Sequence, residues 1–314
     1  MKDHNVTVIV PVYNSEKSLE KLCKRLIKTL SEKFINYEII FVNDSSKDHS
    51  WEVLINIEKM NSGIVKIVNL MKNYGQHGAI MCGFSLAKGD VIVTIDDDLQ
   101  QPPEYIPQMI GLLDSGYDAV FASYTYKQHS IFRNIGTVMI NKVNEYSFKK
   151  PRDIKVSSYR VITRKTVEDI LNSNTSYPYI SGMILNVTNK VANYSVSHER
   201  REHGVSNYTP LNLVSLANNL LFNYTTIPLK FMGGVCLVAS MISFLSSLVF
   251  IIKKLVAGIS IPGWTSLFVI VSFFFGLLFL FLFIIGEYIS RLLNVNYKFN
   301  YIIRESRGFD GDRK

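Results

Sequence analysis

Cysteine is scarce. The 314 residues hold three, Cys23, Cys82 and Cys236. They are scattered in apolar surroundings without pairing or metal-ligand spacing. That pattern gives no support to a disulfide scaffold or a cysteine metal centre, and it fits core packing in a reducing compartment. No Gly-x-Gly-x-x-Gly and no Walker loop occurs, so dinucleotide-binding and P-loop readings lack a basis. No internal repeat or low-complexity tract is visible. Acidic residues are the minority, 26 Asp and Glu against 34 Lys and Arg, a net charge of +8. This excludes an acidic solvating protein and suits nucleic acid, anionic lipid or phosphorylated substrates. The basic residues are dispersed and gather near apolar C-terminal segments, which argues against nucleic acid. Met1-Lys2-Asp3-His4 runs straight into a strand pattern, so no signal peptide is expected.

What the chain does have is an acidic cluster behind a strand. Val91-Ile92-Val93-Thr94-Ile95 reads as buried β structure, and Asp96-Asp97-Asp98-Leu99-Gln100 follows it. Clustered carboxylates repel one another. A divalent cation relieves that repulsion, and hard oxygen ligands suit Mg²⁺ or Mn²⁺. Ligands of open α/β sheets bind at the carboxyl ends of strands. The cluster thus proposes a metal-assisted site for a phosphate-bearing substrate. The alternative is an ordinary acidic loop or helix N-terminus.

Around it, strands alternate with helices at a period of about thirty residues, the signature of a parallel sheet with helices on both faces. Strands are expected at 6–10, 37–42, 65–70, 91–95 and 118–122. Ser15 is a candidate cap for a helix carrying Leu19, Leu22, Leu26 and Leu30 on one face, and Asp48 for the next. A further helix is expected over about 79–87, and another from Pro102-Pro103-Glu104. Polar residues recur where strands end: Tyr13 and Asn14, Asp44, Lys72 and Asn73, then Asp96 to Asp98. One cleft can collect them all.

Beyond about residue 228 the composition changes. Segments 231–252 and 266–287 are nearly uncharged, each long enough to cross a hydrocarbon core of roughly 30 Å. The residues between them include Lys253, Lys254, Gly258, Pro262 and Gly263. They read as a transmembrane hairpin. The tail carries Arg291, Lys298, Arg304, Arg307, Arg313 and Lys314, so the positive-inside bias places it, and the N-terminal domain, in the cytoplasm. Segments 131–148 and 211–224 have amphipathic helical spacing suited to the membrane interface or, for the first, to packing on the sheet. The expected division is a catalytic domain over 1–209, a juxtamembrane helix over 210–228, the hairpin over 229–290 and a basic tail over 291–314.

Several motifs occur in order: Pro11-Val12-Tyr13-Asn14, Asn43-Asp44, Asn73-Tyr74-Gly75-Gln76-His77, Asp96 to Gln100 with Pro102-Pro103-Glu104, Arg201-Glu202-His203-Gly204-Val205-Ser206-Asn207-Tyr208, and Gly286-Glu287-Tyr288-Ile289-Ser290-Arg291. Together, over nearly the whole chain, they resemble the family 2 glycosyltransferases that load a sugar onto polyprenyl phosphate. These include dolichyl-phosphate mannose synthase-like enzymes and bacterial transferases for undecaprenyl-phosphate glucose or aminoarabinose. The resemblance implies a GT-A fold in the bacterial inner membrane, a nucleotide-sugar donor (a UDP-sugar), undecaprenyl phosphate as acceptor, a Mg²⁺ or Mn²⁺ cofactor, and a homo-oligomer, a tetramer in some similar enzymes. It implies that Pro11, Tyr13 and Asp44 hold nucleobase and ribose, with Glu16 and Lys72 also on the donor side. Asp96 and Asp98 match the pair that meets the diphosphate through the metal, Asp97 and Asp98 are the expected catalytic carboxylates, and Gln100 matches a partner of that motif. Arg201 and Ser206 match a loop closing over the donor and acceptor phosphates; Lys127 and Arg133 fall where basic residues are frequent.

The chain also departs from the pattern. Asn14-Ser15-Glu16 stands where Asn-Glu-Glu is frequent, and Asn207 where a lysine is. Ser158-Tyr159-Arg160 stands where glucose-type members carry Asp-Phe-Arg, so an acid proposed there as catalytic is missing. Chemistry does not require it. A lipid phosphate is already an anion at neutral pH, and a general base contributes when a proton must be removed. Positioning and charge handling are what remain, with Arg201 and Arg160 or Arg133 as forked holders of the nucleophilic phosphate. A processive polysaccharide synthase is the competing enzyme reading, but neither Trp51 nor Trp264 lies in a Gln-x-x-Arg-Trp motif. A catalytically degenerate nucleotide-sugar binding protein is the other alternative.

Overall fold

The computed structural model describes residues 4–124, 151, 153–173, 175, 178–197, 231–236, 264–295 and 299–309, with single positions at 238, 241, 245, 252 and 256. Strand β1 (Asn5–Val12) leads to helix α1 (Leu19–Ser31), β2 (Asn36–Asn43), α2 (Ser50–Met60), β3 (Val65–Leu70), α3 (Gly75–Leu86) and β4 (Val91–Thr94). A 3₁₀ turn (Pro103–Tyr105), α4 (Ile106–Asp114) and β5 (Ala119–Tyr124) follow. After them come β6 (Arg160–Thr163), α5 (Arg164–Asn172), α6 (Ile180–Val187), β7 (Val191–Val196), α7 (Trp264–Val295) and β8 (Ile303–Arg307). The chain divides into two compact units, one of residues 1–209 with 297–314 and one of 210–296.

The first unit is built on one eight-stranded sheet, in the order β7-β5-β6-β4-β1-β2-β3-β8. Its centre, β4-β1-β2-β3, is parallel, and these strands are buried as continuous runs because helices cover both faces. Val6, Val8, Val10 and Val12 belong to the core that α1, α2 and α4 complete. On α1, Leu19, Leu22, Cys23, Leu26 and Leu30 form the buried stripe. Ile9 faces α3, where a Cβ added to Gly83 would collide with the Ile9 side chain.

The sheet is mixed, which corrects the expectation of a parallel one. β6 runs antiparallel to both β4 and β5, and β8 antiparallel to β3. The cause is the edge at which each strand enters. Ser158 lies beside the end of β4, where its carbonyl accepts from Thr94 Oγ1 at 2.6 Å, so the chain that continues into β6 must run back across the sheet. Two local details also differ. Helix α1 starts at Leu19, with Ser18 rather than Ser15 at its cap; the Ser15 carbonyl accepts from Ser18 in a preceding turn. Helix α3 starts at Gly75, earlier than its apolar periodicity indicates, because Asp44 accepts the backbone N–H groups at its start. At α2 the cap position is His49 rather than Asp48; Asp48, one residue ahead, accepts the Ser50 N–H on Oδ1 at 3.1 Å.

Helix α7 is 32 residues long, with Glu287 and Arg291 as its charged residues. Leu267, Phe275, Phe279, Phe283 and Leu292 are exposed on it. Among the described residues no helix is long and apolar enough to cross a membrane. The side chains of several α7 positions, most of segment 231–252, and the amphipathic segments 131–148 and 211–224 lie outside the described residues.

Gly83→Ala tests the packing of α3 on β1. Helix propensity alone favours alanine by about 1 kcal/mol, whereas overfilling a close contact costs about 1–3 kcal/mol. Thermal unfolding is expected to show a net loss of stability; a higher Tm would contradict the packing.

Candidate active site

The strands of the parallel centre deliver their polar ends to one edge. Val12 of β1, Asn43 of β2 and Asn69 of β3 are in register, and Asn43 Nδ2 donates to Asn69 Oδ1 at 2.9 Å. β4 sits lower, with Thr94 level with Ile9, so the residues after β4 pass alongside Pro11 to Tyr13. Three residues other than glycine take left-handed backbone there: Asn14 (φ 55°), Ser45 (φ 56°) and Leu99 (φ 64°). They follow β1, β2 and β4 respectively. Such strain persists where the surroundings over-determine it, and it gathers at functional sites. Asn14 is held by donating its N–H to Ser46 Oγ (3.0 Å) and accepting the Lys47 N–H on Oδ1 (2.8 Å).

Asp96 is the centre of the acidic cluster. Its Oδ1 accepts from Gln76 Nε2 at 2.5 Å, and its Oδ2 from Ser158 Oγ at 2.6 Å and Gln101 Nε2 at 2.7 Å. Gln101 also accepts the Asp96 N–H at 2.9 Å and donates to Ser158 Oγ at 3.0 Å. Burial pushes the Asp96 carboxyl upward, as does Asp98; the bonds from Ser158 and Gln101 and the Arg160 charge oppose it. Asp97 turns the other way. Its Oδ2 accepts the Tyr13 N–H at 3.2 Å, and burial, with the charges of Asp96 and Asp98, raises it to about 7. Asp98 Oδ1 accepts the Gln100 N–H at 3.1 Å, closing the turn that holds Leu99 in its left-handed conformation.

The expected donor residues lie on the same edge. Asp44 is 3% exposed, and its two oxygens accept the Tyr74 and Gly75 N–H groups at 2.7 and 2.8 Å. It is a clamp on the loop after β3. Burial raises its pKa, and those two bonds work against the rise. Glu16 accepts the His49 N–H on Oε2 at 3.0 Å, tying the loop after β1 to the start of α2. The Lys72 ammonium lies 5.1 Å above the Tyr74 ring. Pro11 is buried, and Tyr13 and Gln100 are partly exposed.

Arg160 requires a correction. As a holder of the acceptor phosphate it would have to reach the cleft, yet it is 1% exposed. Its Nε donates to Thr94 Oγ1 and its Nη1 to Ser181 Oγ, both at 3.0 Å. Desolvation lowers its pKa to about 10, with Asp96 acting in the opposite sense. Arg160 is thus a buried counter-charge behind Asp96. Lys127, Arg133, Arg201 and Ser206 lie outside the described residues.

Gln76, Gln101 and Ser158 support the cluster without being marked for that role in the sequence. Each is a neutral donor, so none stands out as catalytic. The available signal is the cluster itself: a half-buried carboxylate needs donors, and Gln101 lies in its loop, Ser158 in the departing motif and Gln76 at the start of α3. Among the described residues no group of three or more His, Cys, Asp or Glu is arranged to hold a metal ion. Two carboxylates completed by substrate phosphates and water form a sufficient magnesium-type site. Asp96 and Asp98 fit that role, because carboxylate oxygens carry lone pairs beyond those used here.

The elevated Asp97 pKa makes stability pH-dependent. The unfolded group releases its proton near its ordinary 3.8, the folded one near 7. Between these values the folded state holds the extra proton, so stability is greatest below the window and falls as pH rises through it. With divalent ions chelated, melting temperature is expected to fall across that window and Asp97→Asn to reduce the fall. An unchanged slope in the variant would contradict the assignment.

Residues 7–171 match the family model described as Glycosyl transferase family 2. An undecaprenyl-phosphate 4-deoxy-4-formamido-L-arabinose transferase of Proteus mirabilis is 34% identical over 295 residues, covering 93% of this chain and 90% of that protein. The transferase of the same name from Aeromonas hydrophila is 34% identical over 293 residues, covering 91% and 89%. Among solved structures, glucosyl-3-phosphoglycerate synthase from Mycobacterium tuberculosis, in complex with Mn²⁺, uridine diphosphate and glucosyl-3-phosphoglycerate, aligns with a TM-score of 0.54. That alignment, at 15% identity over 70% of this chain and 78% of that one, shows the shared GT-A architecture. By the family match and by identity over nearly its full length, the chain belongs to glycosyltransferase family 2, in the group that includes these undecaprenyl-phosphate sugar transferases.

Proposed function

We propose that this protein transfers a sugar from a nucleotide-diphosphate donor to undecaprenyl phosphate, with inversion at the anomeric carbon. The carrying observation is the strand-edge cluster in which Asp96, braced by Gln76, Gln101 and Ser158, stands next to Asp98 in the loop after β4. Its relatives' names supply the acceptor class, since identity to them extends over nine-tenths of both chains.

The donor lies along the ends of β1 to β4. The loop clamped by Asp44 and the residues Pro11 and Tyr13 form the nucleoside side, and Lys72 offers a cation to the diphosphate. Asp98, with Asp96 through its remaining lone pairs, would hold a divalent cation whose chemistry there is charge neutralisation of the departing nucleoside diphosphate. The acceptor phosphate is its own nucleophile. One of its oxygens forms the new bond to the anomeric carbon as the bond to the diphosphate oxygen breaks, and no proton has to be removed. The identity of residue 158 agrees with this economy. Its hydroxyl donates to Asp96; a carboxylate in its place would add a further like charge against the cluster. Arg201 and Ser206, with Lys127 and Arg133, are proposed to hold the acceptor phosphate, as forked guanidinium groups suit it.

The apolar segments 231–252 and 266–287 are proposed as a membrane hairpin, with the N-terminal domain facing the cytoplasm. The absence of charged residues from 231–252 and from 266–286 supports it.

Asp98→Ala is expected to lower transfer at least about 100-fold while the protein still folds and inserts. Full activity of that variant in EDTA would overturn the metal reading. Arg201→Ala is expected to reduce transfer more than donor binding, compared by turnover and nucleotide affinity; equal losses would place Arg201 on the donor.

A further inference from the structure

We propose that the C-terminal strand positions the donor loop, with Tyr74 and Phe299 as the positioning residues. The inference rests on the reading of residues 72–75 as part of a nucleotide-sugar site. No sequence pattern marks 299–309 as part of the domain, yet these residues lie in the same compact unit as the site, and β8 closes the sheet beside β3.

β3 runs directly into the loop that Asp44 clamps, so the strand beside β3 also borders that loop. The Met71 N–H donates to the Ile302 carbonyl at 2.9 Å. The Ile302 N–H donates to the Tyr74 hydroxyl at 3.1 Å, and Arg304 Nη2 donates to the Met71 carbonyl at 3.3 Å. Phe299 meets the Tyr74 ring edge-on, with centroids 6.2 Å apart and planes at 78°. The Tyr301 and Ser85 hydroxyls are hydrogen-bonded, fixing the same stretch to α3. Packing here is close: a Cβ on Gly78 would lie 2.7 Å from Tyr74 Cβ and 2.9 Å from the Phe299 ring.

Tyr74 is therefore held from two sides. Its backbone N–H is bound by Asp44 on the site side, and its hydroxyl and ring are bound by the tail. Its ring in turn carries the Lys72 ammonium. A tail that withdraws removes the donor to the Tyr74 hydroxyl and one wall of its ring, and with them the support that orients Lys72. Ile302 is 60% exposed, and so short a docked segment opens locally at less expense than the core does. The other end of the tail supplies a control. Phe309 packs under Lys66 at the start of β3, with the ammonium 5.3 Å from the ring centroid, on the opposite edge of the sheet from the site.

The test uses the full-length protein, with uridine diphosphate and Mn²⁺ as the probe, read by calorimetry and by donor kinetics. Tyr74→Phe and Phe299→Ala are expected to weaken binding about three- to tenfold and to raise the donor KM in step, with kcat within about twofold of the parent. Phe299→Tyr, which keeps the ring, is expected to restore affinity. Phe309→Ala is expected to lower Tm and leave Kd unchanged. Loss of binding in Asp44→Ala alongside unchanged binding in Tyr74→Phe and Phe299→Ala would overturn the positioning role and leave the donor site standing. Equal weakening by Phe309→Ala would also overturn it, since a general loss of stability would then explain the effect. Unchanged binding in Asp44→Ala would overturn the donor site itself, and the inference with it.

Discussion

The Asp96 carboxylate is the joint on which the site depends. It accepts from Gln76 at the start of α3, from Gln101 in its own loop and from Ser158 ahead of β6, the last of these 62 residues away in the chain. Without those donors, three adjacent acidic residues at a half-buried strand end would be held together against their mutual repulsion. With them, the loop after β4 has a fixed shape. Asp97 is then turned toward the Tyr13 N–H and Asp98 closes the turn around Leu99. Arg160, buried behind the cluster, completes the charge balance from within.

This arrangement divides the work between two kinds of group. The protein's fixed carboxylates and amides are concentrated where a diphosphate would leave. A nucleophile that is already an anion needs orientation and a matching cation rather than a base. The serine at position 158 fits that division: it holds a carboxylate in place and does not compete with it for protons. Asp44 follows the same pattern at the other end of the edge, shaping a loop through two backbone N–H groups.

Much of this was legible in the residues. The parallel centre follows from apolar runs at regular spacing, and the shared edge from polar residues at each strand end. The antiparallel strands were not legible. β6 is four residues long, and its direction is set by where Ser158 is anchored, which is a tertiary fact. β8, with sequence Ile-Arg-Glu-Ser-Arg, is too polar to announce itself as a strand; it forms because β3 offers an unpaired edge. The role of Arg160 is not legible in the sequence, because an arginine beside an acidic site resembles a ligand-binding cation, and only burial distinguishes a counter-charge from a contact. Gln76, Gln101 and Ser158 were overlooked because neutral donors acquire meaning only through the carboxylate they face.

Sugar transfer onto a lipid phosphate by this acidic edge is measured by incubating membranes containing the protein with undecaprenyl phosphate and a panel of nucleotide sugars, then identifying the lipid product by mass spectrometry. One donor is expected to yield a lipid with a single sugar joined through phosphate, absent from membranes carrying Asp98→Ala. A chain of several sugars on the lipid, or no lipid product from any donor while nucleotide binding is intact, would contradict it.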